Sequence, residues 1–333
     1  MGPMSRREML RLGLVAGLAG VATSCAPDEP DLVVPPDSTS PPDLGRAGPV
    51  LWPGHQPGQI YVGVAAGGDL EGTLRLTGPV GSQRSYHQWD GLERELATAR
   101  HDHAEHRLPW TSFKPPTSSP AGWAAVASGA HDPDLRARAR GYDQLSEPVV
   151  VTFHHEPHND TGPGEDFAAA WVHTYDVMLD ETGLRNVALV PVLGEWVWNE
   201  RNPAGQPEDY LPHELLQRCA FLGVDLYQNR SSEGYAERLG PVLAWLDSRG
   251  FSRLMIGVGE TASTDDFGDP TGAQWWATSW DWAERNTDRV GAVAYFNSVR
   301  NNRSGNDWLL TQSPQKLAAF RATLDSPRAC LLP

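Results

Sequence analysis

The chain alternates short apolar runs with longer amphipathic stretches from about residue 58 to its C-terminal end. The runs are rich in Val, Ile and Leu with few polar positions, which is typical of parallel strands buried on both faces. Eight such runs occur, at 60–66, 85–89, 107–113, 148–154, 186–192, 221–227, 253–259 and 290–296. The run at 85–89 is the weakest strand candidate, because polar side chains interrupt it.

Helical stretches separate several of these runs. Those at 167–183 and 234–250 each end on a glycine just before the next strand, the usual connection from a helix to a strand, and a third at 315–324 closes the chain. Eight strands with intervening helices predict a single α/β domain, a (β/α)8 TIM barrel. A doubly wound open sheet is the alternative, although no glycine-rich nucleotide-binding loop follows the first strand.

The first 50 residues differ from the rest. Residues 1–24 contain twin arginines, a short apolar segment and small residues before Cys25, which is typical of a twin-arginine export signal. VATSC (21–25) is similar to the lipobox of bacterial lipoproteins, in which the cysteine becomes the lipidated first residue; a plain secretion signal is the alternative. Residues 25–50 are rich in proline and acidic side chains and predict a disordered tether, which leaves 51–333 as the catalytic domain.

The charge balance of the chain limits the classes of ligand that it is expected to bind. With 27 basic and 42 acidic side chains, the chain has a formal net charge of −15. So acidic a surface repels nucleic acid and anionic lipid headgroups, so neither is expected as a ligand. We expect an extracytoplasmic, cell-surface lipoprotein, monomeric and in contact with the membrane only through its N-terminal lipid anchor.

Besides Cys25, the chain contains two cysteines, Cys219 and Cys330. An oxidising compartment would permit a disulfide between them, and two free thiols fit the sequence equally well. No metal site is expected. HHEPH (154–158) lacks the HExxH spacing of zinc proteases, while HDHAEH (101–106) and TDDFGD (264–269) are interpreted as a solvated helix face and a solvated loop.

Two of the apolar runs are built alike, and each places a glutamate near the point where it stops. VVVTFHHEP (149–157) provides Glu156 on predicted strand 4, and LMIGVGETAS (254–263) provides Glu260 on predicted strand 7. The C-terminal ends of the strands form the catalytic face of an α/β barrel. Two carboxyl groups that converge there are the machinery of a glycosidase. Strand-end carboxylates that cap helices or bind arginine are the structural alternative.

Over roughly residues 60–300 the sequence resembles glycoside hydrolase family 26. The resemblance rests on HHE on strand 4, GVDLY (223–227) on strand 6 and GET (259–261) on strand 7. It implies a retaining glycosidase without a cofactor, in which Glu156 is the general acid/base and Glu260 is the nucleophile.

The resemblance also implies residues that bind the substrate. His155 and Tyr227 would line the −1 subsite, and Asp225 matches the aspartate of the GxDxY motif. The tryptophan that the family carries on strand 8 as a sugar platform is replaced by Tyr295 or Phe296.

Aromatic rings near the predicted strand ends are further candidates, because flat rings stack on sugar faces. Trp52, Trp89 and Trp110 lie near such ends, and Trp196 and Trp198 lie in GEWVWN (194–199), on the loop after strand 5. The candidate substrate-binding residues are His155, Tyr227, Asp225, Trp110, Trp196, Trp198, Tyr295 and Asn297.

These patterns predict a retaining endo-glycosidase that hydrolyses a β-linked polysaccharide. β-Mannan is the commonest substrate of the family that the chain resembles, followed by mixed-linkage β-glucan and β-xylan. The alternative from another class is a glycan-binding surface lipoprotein that keeps the barrel without turnover.

Overall fold

The computed structural model describes residues 51–117, 119–199, 202, 206–299 and 307–333. The export signal (1–24), Cys25 and the tether (25–50) lie outside the described residues, so the expectations for them stay predictions. Within the described residues, no helix is long and apolar enough to span a bilayer.

Eight parallel strands form the barrel, and the prediction of a (β/α)8 fold is confirmed. Each strand pairs with the next, and strand 8 returns to strand 1, so the open-sheet alternative is wrong. In chain order the strands are Ile60–Ala65, Ser82–His87, Leu108–Phe113, Val149–Phe153, a fifth in two segments (Val187–Leu189 and Val192–Gly194), Leu222–Tyr227, Ile256–Ala262 and Val290–Phe296.

Strand 5 is interrupted at Val190 and Pro191, where it passes from one neighbour to the other. Its first segment pairs with strand 4 and its second with strand 6. The Val190 amide donates to the Val151 carbonyl at 2.9 Å, and the Gly223 amide donates to the Pro191 carbonyl at 2.8 Å. Because proline has no amide proton, the ladder breaks there, yet these bonds keep both neighbours attached. The ring of strands is closed through the break.

Helices cover the outside of the barrel. The three predicted helices correspond to Gly164–Tyr175 with a π-helical turn at Asp176–Asp180, to Tyr235–Ser248 and to Pro314–Leu324. The glycines that end the first two, Gly183 and Gly250, have φ of 70° and 85°, which favours glycine. The other α-helices are Leu70–Thr77, Leu92–Ala104, Pro120–Ala127, Asp132–Asp143, Pro207–Tyr210, His213–Arg218 and Gly272–Arg285.

Large side chains fill the barrel and close the end away from the strand C-termini. The ring of Trp52 lies 5.0 Å from that of Phe221, just before strand 6, and 6.1 Å from that of Tyr61, at the start of strand 1. The expectation that Trp52 lies on the catalytic side is therefore wrong. Its position before the first strand, rather than after one, places it at the opposite end.

Neither Cys219 nor Cys330 is in a disulfide. Cys219 is buried, and Cys330 lies in a short C-terminal strand, Ala329–Cys330, that pairs with strand 1. Burial raises the pKa of both thiols to about 12. Of the two arrangements that the sequence permits, the structure shows the free thiols.

Candidate active site

Glu156 lies on an unusual backbone just beyond strand 4. His154 and Glu156 both have left-handed conformations, with φ of 49° and 51°. Residues other than glycine adopt this region at a cost, and such strain concentrates at functional sites. Two barrel hydrogen bonds hold it, since the His154 amide donates to the Phe113 carbonyl at 2.9 Å and the Glu156 amide to the Val192 carbonyl at 2.8 Å.

The buried His154 side chain fixes the segment that follows. Its Nδ1 lies 2.7 Å from the indole Nε1 of Trp123, and its Nε2 lies 2.5 Å from a carboxylate oxygen of Asp160. An indole N–H can only donate, so Nδ1 is the acceptor and Nε2 carries the proton toward Asp160. Burial, helped by the charge of Lys114, lowers the pKa of His154 to about 4. The neutral imidazole therefore holds Asp160, in the segment that follows Glu156, by a hydrogen bond.

Glu260 lies on strand 7, opposite Asp225 of strand 6 in the ladder. The Tyr227 hydroxyl donates to its Oε2 at 2.5 Å, and the Tyr86 hydroxyl donates to its Oε1. Both carboxylate oxygens therefore accept a hydrogen bond from a phenol hydroxyl, and the two bonds fix the orientation of the carboxylate. Only 8 % of Glu260 is exposed.

The surroundings of Glu156 favour its protonated form. Burial and the negative charge of Glu260 raise the pKa of Glu156 to about 7, against the bond from Asn159 and the charges of Lys114 and Arg84. Asn159 donates from Nδ2 to Oε2 of Glu156 at 3.1 Å. Two carboxyl groups within each other's field therefore differ in character, as catalytic acid and base pairs do.

Asp225 and His155 stand beside this pair. Asp225 is buried, and burial with the charges of Glu260 and Glu156 raises its pKa well above the usual value. The imidazole of His155 lies 5.0 Å from the ring of Tyr86, and burial with the charge of Arg84 lowers its pKa well below the usual value. His155 is therefore a neutral wall of the site near neutral pH.

The open cleft consists of two arms, one lined by Glu260 and the other by Glu156. The first, here called the Arg84 arm, has a volume of about 650 Å³ and is lined by Arg84, Tyr86, Arg94, Lys114, His155 and Glu260, among others. The second, the Trp196 arm, has a volume of about 590 Å³; its lining includes Glu156, Trp196, Asp225, Tyr227, Arg238 and Trp308. The Tyr227–Glu260 hydrogen bond connects the two arms.

The two tryptophans after strand 5 differ in access. Trp196 is 44 % exposed and lines the Trp196 arm, where its ring is free to stack. Trp198 is half-buried and packs edge-on against Trp245, with ring centroids 5.9 Å apart. Its edge lines a smaller cavity beside the same loop.

The predictions that Trp110 and Tyr295 bind sugar are wrong. Trp110 is buried inside the barrel, where its Nε1 donates to the Thr152 hydroxyl at 3.0 Å. Tyr295 is also buried; its ring packs against helix residues Trp276 and Phe320. Side chains alternate along a strand, so Tyr295 faces the helices while its neighbour Phe296 lines the Arg84 arm.

Asn297 is likewise a structural residue, contrary to the sequence-based expectation. Its Nδ2 donates to the Thr73 hydroxyl at 2.9 Å, and its Oδ1 accepts from the Leu310 amide at 2.9 Å. Both amide groups are engaged and only 7 % of the residue is exposed, so it holds the chain behind the cleft instead of contacting ligand.

The sequence reasoning missed several cleft residues, among them Arg84, Tyr86 and Trp308. Arg84 and Tyr86 are two positions apart on strand 2, hence on one face of it. Arg84 lies just before the predicted run at 85–89 and Tyr86 lies within it, and both line the Arg84 arm. Trp308 lies after strand 8, with its ring 5.3 Å from that of Tyr227, and no pattern in the sequence singled it out.

The acidic loop after strand 7 is used internally. Asp265 accepts from the Gly272 amide at 2.7 Å, and Asp266 accepts from Nε2 of Gln312 at 2.9 Å. Across the described part of the chain, no group of three or more His, Cys, Asp or Glu side chains is placed to hold a metal ion.

No protein-family model matches the sequence, and neither does any curated protein. Solved structures do match. GH26C from Muricauda sp. MAR_2010_75 is 12 % identical with a TM-score of 0.56, over 82 % of this chain and 87 % of that one. The chain has the fold of family 26 glycoside hydrolases.

Two further structures agree with this family 26-like fold. An endo-β-1,4-mannanase double mutant from Cellulomonas fimi is 16 % identical with a TM-score of 0.57, over 83 % of this chain and 73 % of that one. A fungal β-1,4-galactanase is 14 % identical with a TM-score of 0.58, over 79 % and 99 %. At these identities the likeness establishes the fold, and the activity has to be argued from the site.

Proposed function

We propose that this protein is a retaining endo-glycosidase that hydrolyses a β-linked polysaccharide, with Glu260 as nucleophile and Glu156 as general acid/base. One observation carries the proposal: Glu260 and Glu156 each line one of two neighbouring cavities at the strand C-termini, and their surroundings differ. Glu260 accepts from two phenols, whereas the pKa of Glu156 is raised to about 7. A retaining glycosidase requires one ionised and one protonated carboxyl group.

In the first step, Glu260 attacks the anomeric carbon while Glu156 gives its proton to the departing glycosidic oxygen. The bond to the leaving sugar breaks and an ester to Glu260 forms. In the second step, Glu156 takes a proton from water, the resulting hydroxide attacks the same carbon, and Glu260 leaves as a carboxylate. Tyr227 and Tyr86 orient Glu260 throughout.

The shape of the cleft supports cleavage within a polymer. One arm is lined by Glu260 and the other by Glu156, so sugar units can be bound on both sides of the bond that is cut. The exposed ring of Trp196 offers a stacking surface in one arm. β-Mannan is the first backbone to test, followed by mixed-linkage β-glucan and β-xylan; mannanases, a glucanase and a galactanase are among the structural neighbours.

The stereochemistry of the first product tests the proposal. Proton NMR during hydrolysis of β-linked oligosaccharides should show the β-anomer first, with the α-anomer arising later by mutarotation. Appearance of the α-anomer first would refute retention. Failure of the chain to hydrolyse any β-linked glycan that it binds would favour the non-catalytic glycan-binding alternative.

The pKa of Glu156 sets the expected pH dependence. The first step needs Glu156 protonated, so kcat/KM on a polysaccharide should fall about tenfold for each pH unit above about 7. An aryl glycoside with a good leaving group needs little protonation and provides the control, since its profile should lack this fall. A basic limb that is the same for both substrates would contradict the role of Glu156.

We further propose that the protein is exported and lipid-anchored through Cys25, as VATSC suggests. Cell fractionation should find the wild-type chain with the membranes. Cys25→Ser should release it or block its maturation, because the acyl chains have no other attachment point. Wild-type protein found wholly in the medium with an unmodified N-terminus would refute the anchor.

A further inference from the structure

The two arms of the cleft differ in charge. Among the described residues, three cations line the Arg84 arm, Arg84, Arg94 and Lys114, and Glu260 is its one acidic residue. On the same basis, the Trp196 arm has three acidic residues on its walls and two arginines. In a chain with a net charge of −15, a cationic arm beside the carboxyl pair requires an explanation.

Arg84 forms the base of this arm without an acidic partner. It is 2 % exposed, and its Nη1 donates to the Ser112 hydroxyl at 2.7 Å. Its Nε and Nη2 make no hydrogen bond to any described residue. Its Cζ lies 5.0 Å from the ring centres of both Tyr86 and Trp110, a cation–π arrangement that tolerates the charge without neutralising it. Its charge acts to lower the pKa of Glu156 and of Asp225, but no described carboxylate forms an ion pair with it, so it also attracts an anion that enters the arm.

Arg94 and Lys114 supply the cations that a ligand can reach. Arg94 is exposed on helix Leu92–Ala104 and forms no ion pair with the described part of the chain. Lys114 is half-buried, and its Nζ lies 3.9 Å from Asp160, whose carboxylate is already bonded to His154. Arg94 and Lys114 therefore both have N–H groups available to a ligand in the Arg84 arm.

In the part of the chain that the structure describes, no carboxylate lies within hydrogen-bond distance of these cations, and the nearest, Asp160, is 3.9 Å from Lys114. Glu260 is engaged by Tyr86 and Tyr227. In the other arm, by contrast, Arg238 is paired with Glu195 and also donates to the Tyr227 carbonyl. Counted over the described residues, acidic side chains therefore outnumber basic ones in the Trp196 arm, and the reverse holds in the Arg84 arm.

We propose that the Arg84 arm binds a sugar unit that carries a carboxylate, so that the substrate is an acidic, uronic acid-containing polysaccharide. This inference rests on the proposed glycosidase function and narrows its substrate class. A neutral backbone would desolvate Arg94 and Lys114 and return no charged partner, which is costly. A carboxylate on the sugar ring would accept from Arg94 and Lys114 above the field of Arg84, and arginine suits planar carboxylates.

Matched oligosaccharides that differ only in the carboxylate test the proposal. β-1,4-Mannuronan hexasaccharide is paired with β-1,4-mannan hexasaccharide, and β-1,4-glucuronan hexasaccharide with cellohexaose. Calorimetry on the full-length Glu156→Gln chain at pH 6 measures binding without turnover. This variant suits the purpose because Glu156 is mostly protonated at pH 6 and Glu260, which contributes to the charge of the arm, is retained.

In at least one pair, the acidic member should bind about tenfold or more tightly than the neutral member at low salt, the range of a charge-assisted hydrogen bond. Adding Arg94→Gln and Lys114→Gln should reduce this ratio to about one, chiefly through weaker binding of the acidic member. Arg100→Gln, exposed on the same helix but outside the cleft, is the matched control and should leave the ratio unchanged.

Three outcomes overturn the inference: equal binding within both pairs, an acidic preference that survives the double substitution, or no binding of either acidic oligosaccharide. Hydrolysis by the wild-type chain is scored separately. Turnover of neutral backbones without an acidic preference would refute the substrate class and leave the glycosidase proposal standing. Acidic preference without turnover of any member would refute the glycosidase proposal and support the ligand class.

Discussion

Glu260→Ala is expected to lower kcat on every glycan by about 10⁴-fold or more, because no covalent intermediate can form without the carboxylate. The strand register should survive, since Glu260 interacts through its side chain with Tyr86 and Tyr227 and not through packing of the core. Thermal unfolding close to that of the wild type would show that the loss is chemical.

Azide makes the test of Glu260 specific. In Glu260→Ala the small anion can enter the space vacated by the carboxylate and attack the anomeric carbon from that side, giving an inverted glycosyl azide. Glu105→Ala is the control, an exposed glutamate outside both arms and outside the smaller cavity beside them, and should keep wild-type rates. Retained activity in Glu260→Ala, or an inverted azide from Glu156→Ala instead, would mean that the roles are wrong.

Glu156→Ala is expected to separate substrates by their leaving groups. Hydrolysis of a polysaccharide should fall by about 10²–10⁴-fold, the range of general acid catalysis, whereas the first step on a reactive aryl glycoside should persist. Azide should accelerate the second step by replacing base-activated water, and the glycosyl azide should retain the β-configuration. The measurement is the rate with and without azide, with NMR of the product.

Asn159→Ala is a useful companion to this variant. It removes the hydrogen bond to Oε2 of Glu156, which opposes the raised pKa, but it keeps the acid itself. Asn159→Ala should shift the basic limb of the pH profile to higher pH. It should show neither the dependence on the leaving group nor the rescue by azide that is expected of Glu156→Ala. If Glu156→Ala affected aryl glycosides and polysaccharides equally and azide had no effect, Glu156 would not be the acid/base.

The barrel was predictable because its strands are nearly continuous apolar runs, and the positions of Glu156 and Glu260 followed from where those runs stop. The break in strand 5 was not predicted. Pro191 removes one ladder donor, but whether a strand with a proline ends or continues depends on neighbours that are distant in sequence. Here the strand continues, because Val190 and Pro191 keep backbone hydrogen bonds to the Val151 carbonyl and the Gly223 amide.

The errors at the site have a common physical origin. When a strand is apolar on both faces, its sequence does not show which side chains point into the barrel and which point toward the helices. Trp110 and Tyr295 were therefore placed in the cleft, although one lies in the barrel and the other faces helices. Arg84 and Tyr86 were missed for the converse reason, because polar side chains on a barrel strand weaken the strand signal while marking the site.

The interruption of strand 5 also concerns how the site opens. The Val192 carbonyl, in the second segment of strand 5, accepts from the amide of Glu156. This one hydrogen bond therefore joins strand 5 to the end of strand 4, here called the barrel seam, and also positions the acid. The exchange rate of the Glu156 amide proton with deuterium is therefore a single-site reporter of both events. If the seam opens below the global unfolding temperature, activity should disappear in step with the protection of that one amide, well before the core of strands 7 and 8 begins to exchange.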